Sequence, residues 1–121
     1  MAQGANHPVP TISTHVLDME RGTPAAGVAV TLYRLADDGR PLRLTQALTD
    51  DDGRVRDLLE RPLTAGDYRL EFVFALDPAS AIDQARFFRR MTLDLRVTDV
   101  KRSYHVPLLM APYSMTTYRG S

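Results

Sequence analysis

Apolar and polar residues alternate with a period of two along most of this sequence, and this feature constrains the fold more than any other. Successive side chains of a strand point to opposite faces of a sheet, so the alternation indicates strands with one buried face. Helical spacing is almost absent. The predicted strands cover residues 12–17, 28–35, 42–49, 54–58, 67–74, 91–97, 104–110 and 113–118.

Turn-forming residues lie between these strands, at 21–24, 37–40, 51–54 and 65–67. Only the segment 78–87 departs from the alternation, and Pro78 suits the first turn of a helix, which predicts one short helix there. Eight short strands with such turns predict an all-β fold, a sandwich or a barrel. A chain of 121 residues has room for one domain, which we assign to 11–121, with a flexible tail at 1–10.

Charge and composition argue against several classes of protein. The 15 basic and 15 acidic side chains cancel, so no long-range field attracts nucleic acid or an anionic membrane. The absence of cysteine excludes disulfides, thiolate metal sites and a cysteine nucleophile. The apolar runs are far shorter than the ~20 residues of a spanning helix, and residues 1–10 lack the features of a secretory signal. We therefore expect a cytoplasmic protein with no nucleic-acid or membrane partner.

Strand parity leaves two histidines on faces that a simple sandwich would expose to water. His15 shares one face of the first strand with Leu17. His105 shares the equivalent face of a late strand with Pro107 and Leu109. Apolar residues on an outer face must be covered by a second surface, most simply by another copy of the chain. We therefore expect a homo-oligomer whose interface contains both histidines.

The chemistry that the sequence offers is limited to imidazole and guanidinium groups. It contains no G-x-S-x-G, P-loop or G-x-G-x-x-G motif. Histidine and arginine suit general-base attack by water, with a cation holding the developing negative charge. The alternative that each histidine is a hydrogen-bonded structural residue stays open, and His7 is expected to be solvated in the tail. An arginine after a turn is usually an exposed charge, and spacing does not favour Arg54 over Arg56.

We expect neither a metal nor another cofactor. The sequence lacks H-E-x-x-H, and His15 and His105 are far apart with no local ligand pair beside them. The acidic run at 50–52 is typical of a turn, because a calcium loop needs alternating ligands and a terminal glutamate.

Several segments resemble the transthyretin-like family. In the first third of the chain these are STHVLD, GTPA and VAVTL, at 13–18, 22–25 and 28–32. YHVPLL, PYS and the final YRGS, at 104–109, 112–114 and 118–121, resemble the 5-hydroxyisourate hydrolase branch of that family. The hormone-carrier branch lacks the final YRGS and both histidines. The likeness runs from about Ile12 to Ser121 and departs from the family pattern at 78–90 and 115–116.

This resemblance implies an eight-stranded prealbumin-like β-sandwich with one short helix. It also implies a homotetramer, a dimer of dimers, with active sites at the dimer-dimer interface. The implied reaction opens 5-hydroxyisourate to 2-oxo-4-hydroxy-4-carboxy-5-ureidoimidazoline in urate degradation. The implied catalytic residues are His15, Arg54, His105 and Ser121, and the implied substrate-binding residues are Tyr118, Arg119 and Gly120. The alternatives are a carrier that binds a small apolar ligand in the tetramer channel and a structural sandwich without a ligand.

Overall fold

Two β-sheets form the molecule in the computed structural model, which describes residues 9–120. One sheet has the strand order β2-β1-β8-β9, with β5 also paired to β1, and the other has the order β4-β3-β6-β7. The strands are β1 (Ile12–Asp18), β2 (Thr23–Pro24), β3 (Ala29–Leu35), β4 (Pro41–Leu48), β5 (Arg54–Val55), β6 (Gly66–Val73), β7 (Arg90–Val97), β8 (Tyr104–Ala111) and β9 (Ser114–Thr117), and the helix is α1 (Ala81–Gln84). The predicted all-β fold is confirmed, and the two sheets make it a sandwich.

The core lies between the two sheets and is built from the alternating positions. Strand β1 alternates strictly between buried and half-buried residues, with Ile12 and Val16 fully buried. Strand β6 supplies Tyr68, Leu70 and Phe72 to the same core. Burying large apolar side chains from both inner faces stabilises the sandwich, at ~1.5–3 kcal/mol for each Val, Leu, Ile, Phe or Met.

Strand β1 pairs with two strands that are distant from it in the sequence. It pairs in parallel with β8 over its whole length, from Ile12 opposite Tyr104 to Asp18 opposite Met110. On its other side it pairs antiparallel with β5, where His15 lies opposite Arg54. These two pairings bring three distant parts of the sequence onto one sheet.

The structure corrects the prediction of a helix over 78–87, because α1 covers only Ala81–Gln84. The Ser80 side chain caps the helix by accepting a hydrogen bond from the Asp83 N–H. Beyond the helix, the Phe87 N–H donates to the Pro112 carbonyl at 2.6 Å, which draws the chain onto the β8–β9 turn. The strand predicted at 54–58 is also shorter, and the turn predicted at 21–24 contains the two-residue strand β2.

A group of four charged side chains, three of them buried, holds α1 against the first sheet. The Arg86 side chain is completely buried, with its guanidinium 3.5 Å from Asp18 and 3.6 Å from Asp83. Arg21 bridges the same two carboxylates at 2.8 and 3.1 Å from the rim. We refer to Asp18, Arg21, Asp83 and Arg86 as the buried ion cluster. Its two positive and two negative charges neutralise each other within the chain.

No helix within residues 9–120 is long and apolar enough to span a membrane.

Candidate functional site

The outward face of β1 and β8 carries both histidines that strand parity singled out. His15 and Leu17 on β1 are half-buried, and so are His105 and Leu109 on β8. The parallel register sets Ser13 beside His105 and His15 beside Pro107. We refer to this surface, formed by the outward-facing residues of β1, β5 and β8, as the outer face.

Arg54 reaches the outer face because a tight turn returns the chain beside β1. Gly53 adopts a φ of +76°, and a Cβ there would collide with the Val16 carbonyl oxygen, so the close approach requires glycine. Asp50 Oδ1 accepts hydrogen bonds from the Asp52 and Arg54 N–H groups, each at 2.9 Å. The bond from the Arg54 N–H is the main reason that the pKa of Asp50 is lowered. The acidic run at 50–52 therefore forms a turn, as predicted.

A depression of about 160 Å³ brings Arg54 and His105 together on the outer face. Among the described residues, Ser13, Thr14 and Arg56 also line it, and His15 does not. Burial lowers the pKa of His105 below its ordinary value, and the charges of Arg54 and then His15 lower it further. A lowered pKa keeps this imidazole neutral near pH 7, so one ring nitrogen can accept a proton.

The C-terminal segment that ends at Gly120, the last described residue, lies against the His105 ring. The Gly120 N–H donates a hydrogen bond to the His105 carbonyl at 2.7 Å. A Cβ at Gly120 would lie 2.8 Å from His105 Cδ2 and 3.3 Å from Pro107 Cγ, closer than real Cβ atoms normally approach the ring. The Thr117 hydroxyl donates to the Pro107 carbonyl at 2.8 Å and fixes the same segment. Pro107 is consequently buried within one chain, unlike Leu17 and Leu109.

Tyr118 and Arg119 lie in a different groove from the one that contains Arg54. This groove, about 300 Å³ in volume, runs between β7 and β8, and His105 lines it as well. The guanidinium carbon of Arg119 lies 4.8 Å from the centroid of the Tyr104 ring, in a cation–π contact. His105 is thus the residue at which the two hollows meet. Ser121 and His7 lie outside the described residues.

This arrangement suits a hydrolytic step that needs no metal ligand from the protein. Histidine, aspartate and glutamate form no cluster of three or more among residues 9–120 that could hold an ion. A neutral imidazole can take a proton from water, and a nearby guanidinium can stabilise an oxyanion. Both groups lie in one depression that is open to solvent on one side.

Sequence reasoning did not single out Ser13 or Arg56, which line the depression together with Arg54 and His105. The available signal for Ser13 was its parity, since it shares the outward face of β1 with His15. The sequence could not show that His105 is the partner of Ser13, because the two residues are 92 positions apart. Arg56 follows β5 and had no distinguishing feature in the sequence.

Comparisons with known proteins agree with the fold. The profile of the HIUase/Transthyretin family matches residues 12–120. A 5-hydroxyisourate hydrolase of Deinococcus radiodurans is 44% identical over 93% of this chain and 97% of its own. The structure of the Klebsiella pneumoniae 5-hydroxyisourate hydrolase superimposes with a TM-score of 0.72, at 34% identity over 93% of this chain and 99% of its own. Sea bream transthyretin in complex with thyroxine gives 0.75, at 27% identity over 89% and 92%.

Proposed function

This chain belongs to the HIUase/Transthyretin family, and we propose that it hydrolyses 5-hydroxyisourate at the outer face of β1 and β8. It is a hydrolase with the prealbumin-like sandwich of that family, and its relatives at 36–44% identity bear the name 5-hydroxyisourate hydrolase. The observation that carries the location is the depression shared by Arg54 and His105, where the pKa of the imidazole is lowered.

The proposed reaction begins with a water molecule held near His105. His105 takes one proton from this water as its oxygen attacks the lactam carbonyl carbon of the substrate. The carbonyl electron pair moves to oxygen, and the Arg54 guanidinium stabilises this negative charge. When the tetrahedral intermediate collapses, the C–N bond breaks and the protonated His105 gives its proton to the leaving ring nitrogen, which returns the imidazole to its neutral form. The product is 2-oxo-4-hydroxy-4-carboxy-5-ureidoimidazoline, and no group on the enzyme is consumed.

His15 has a supporting place in this proposal. His15 is the register partner of Arg54 in the pairing of β1 with β5. It does not line the depression, but its charge lowers the pKa of His105. It is suited to orient substrate or water beside the base, with His105 as the base itself. A kcat loss for His15→Ala that exceeds the loss for His105→Ala would reverse these two roles.

The C-terminal residues form the second part of the proposed site. Tyr118 and Arg119 line the groove that meets His105, and Gly120 is bonded to its carbonyl group. We propose that Tyr118, Arg119 and Gly120 bind substrate and that Ser121 takes part in catalysis through its hydroxyl group. Deletion of 118–121 tests this part. A strong loss of activity in a folded protein supports it, and unchanged turnover contradicts it.

A homotetramer, as a dimer of dimers, completes the proposed arrangement. Leu17 and Leu109 leave apolar surface on the outer face, and Phe87 and Tyr113 are each 71% exposed. Exposed apolar side chains at these positions support burial by another copy of the chain. Analytical ultracentrifugation with parallel rate measurements tests the assembly: we expect the activity to sediment with a tetramer, and a fully active monomer would contradict the proposal.

The test of the activity uses substrate made in place. Uricase converts urate into 5-hydroxyisourate, and the ultraviolet decay of that product is followed with and without this protein. We expect an accelerated decay, and an unchanged decay would contradict the assignment. A carrier that binds a small apolar ligand would slow or leave unchanged the decay, so the same assay separates the two functions. The proposal includes a cytoplasmic location, which fractionation of the native cells can check.

A further inference from the structure

Ser13 provides the side-chain partner of His105, and the proposed reaction has not yet given it a role. Its Oγ lies 2.9 Å from His105 Nδ1, in a partly buried hydrogen bond. The two residues are register partners in the parallel pairing of β1 with β8. A bond between two paired strands of a sheet has a well-defined geometry, because neither backbone can shift without breaking the ladder.

We propose that Ser13 is a positioning residue that accepts a hydrogen bond from the Nδ1–H of His105 and so keeps the lone pair on Nε2. This inference rests on the proposed role of His105 as the base. In a neutral imidazole, one nitrogen carries the proton and the other accepts, so the partner of one nitrogen decides the state of the other. With the proton held on Nδ1, Nε2 is the nitrogen that can deprotonate water.

The other side chains that line the depression favour this direction for the hydrogen bond. Arg54 and Arg56 carry donors only, so neither can accept the Nδ1–H. The Thr14 hydroxyl donates to the Val106 carbonyl and is engaged on the inward side of β1. Among the described residues of this lining, Ser13 is therefore the side chain that can accept a hydrogen bond from Nδ1.

The Nε2 side of the ring lies towards the proposed substrate site. A Cβ built at Gly120 would lie 2.8 Å from Cδ2, the carbon bonded to Nε2, so the C-terminal main chain runs along that edge. In serine hydrolases the group on Nδ1 orients the imidazole, while the reacting oxygen meets Nε2. By this logic Ser13 occupies the orienting position and water occupies the reacting one. Ser13 is consequently not the nucleophile.

The same hydrogen bond serves both protonation states of His105. When Nε2 takes a proton from water, the imidazolium carries N–H groups at both nitrogens, and Ser13 Oγ continues to accept from Nδ1. If Ser13 donated to Nδ1 instead, Nε2 would carry the proton of the neutral ring and could not take another from water. With Ser13 as the acceptor, Nε2 is free to take the proton, and the acceptor is already in place to stabilise the imidazolium. The charges of Arg54 and His15 oppose the positive charge of the imidazolium, which makes the acceptor more important.

The test compares the imidazole tautomer and the steady-state kinetics in three variants of the full-length protein. Ser13→Ala removes the acceptor, and Ser13→Thr keeps a hydroxyl on a strand that tolerates β-branching. Ser103→Ala is the matched control, because Ser103 Oγ accepts from the Thr11 N–H at the start of the same strand pair and does not contact His105. Nitrogen-15 NMR of the histidine rings reports the tautomer without reference to activity.

We expect neutral His105 to carry its proton on Nδ1 in the wild-type protein and to lose this preference in Ser13→Ala. The kcat of Ser13→Ala falls about 10- to 100-fold, the effect of one hydrogen bond to a charged group, with little change in KM. Ser13→Thr restores most of the rate, and Ser103→Ala keeps the wild-type tautomer and rate.

Three results would overturn the inference. The first is a wild-type proton on Nε2, and the second is a Ser13→Ala variant with unchanged tautomer and kcat. The third is a covalent Ser13–substrate adduct detected by mass spectrometry, which would make Ser13 the nucleophile. His105→Ala separates this inference from the proposed function. If that variant retains full activity, the role of His105 as the base fails; if it is inactive while Ser13→Ala is unchanged, only the role of Ser13 fails.

Discussion

The two faces of β1 carry charged and polar groups that differ in whether they have partners of opposite charge. On the inward side, Asp18 belongs to the buried ion cluster, where it meets Arg21 and Arg86. On the outer face, His15 and Arg54 lie beside each other without a carboxylate partner within hydrogen-bonding distance among the described residues. The difference lies in where each charge finds its complement. The inward charges are neutralised by the chain itself, whereas the outward Arg54 guanidinium has no carboxylate partner among the described residues and can bind a substrate oxygen.

This contrast separates stability from activity along a single strand. Breaking a buried ion pair leaves an uncompensated charge and destabilises the fold. Removing a half-buried imidazole that no carboxylate holds affects the fold little, because its loss leaves no buried charge behind. Variants on the two faces are therefore expected to affect different measurements.

The largest effect is expected on the outer face. His105→Ala should lower kcat by ~10²–10⁴-fold, the usual contribution of a general base. The thermal midpoint should change little, because His105 is half-buried and, within residues 9–120, its side chain is hydrogen-bonded only to Ser13. Ultraviolet decay of 5-hydroxyisourate and a thermal melt of the same sample check both statements. A variant that loses its fold together with its rate would place His105 among the structural residues.

The next effect is expected inside the sandwich. Asp18→Asn keeps the acceptor for the Glu20 and Arg21 N–H groups but removes the charge that faces the fully buried Arg86. Breaking such a pair costs about 3–5 kcal/mol. Chemical denaturation should show a lower free energy of unfolding, while kcat per folded molecule stays at the wild-type value. An unchanged free energy of unfolding would mean that the cluster contributes nothing to stability.

A smaller effect is expected for the charge beside the base. Arg54→Gln should lower kcat and also raise the pKa of His105, because a positive charge that opposes its protonation is removed. His105 must be neutral to act, so activity is lost as the pH falls through this pKa. The acid limb of the pH–rate profile therefore moves to higher pH in the variant. A limb that stays in place or moves to lower pH would show that Arg54 does not act on His105.

The smallest effect is expected at the surface and serves as the control for the cluster. Asp38 pairs with Arg40 at 2.9 Å, but both side chains are largely exposed, at 56% and 85%. Exposed pairs contribute ~0–1 kcal/mol. Asp38→Asn should therefore leave the midpoint of denaturation almost unchanged. A loss comparable to that of Asp18→Asn would mean that burial does not decide the strength of these pairs.

The strands could be predicted because their information is local. A period of two fixes which side chains of a strand share a face, and β3, β6 and β7 begin and end within one residue of the predicted positions. The turn that presents Arg54 could be read from the acidic run and Gly53 in the same way. The sandwich follows, since such strands bury one face each.

The relations between distant residues could not be predicted from the same pattern. Periodicity does not reveal that β1 pairs with β8 in parallel, so the hydrogen bond between Ser13 and His105 could not be predicted. Arg86 looks like a surface residue in the sequence and is buried because Asp18 and Asp83 supply opposite charges. The choice of Arg54 rested on family resemblance, because local spacing does not distinguish it from Arg56.

The most direct test measures the hydrolysis rate per folded molecule for His105→Ala and Asp18→Asn side by side. The folded fraction of each sample is taken from its denaturation curve at the assay temperature. We predict a folded but nearly inactive His105→Ala protein and a destabilised Asp18→Asn protein whose folded molecules have the wild-type rate. The reverse result, with full activity in His105→Ala and lost activity in folded Asp18→Asn, would contradict the assignment of catalysis to the outer face.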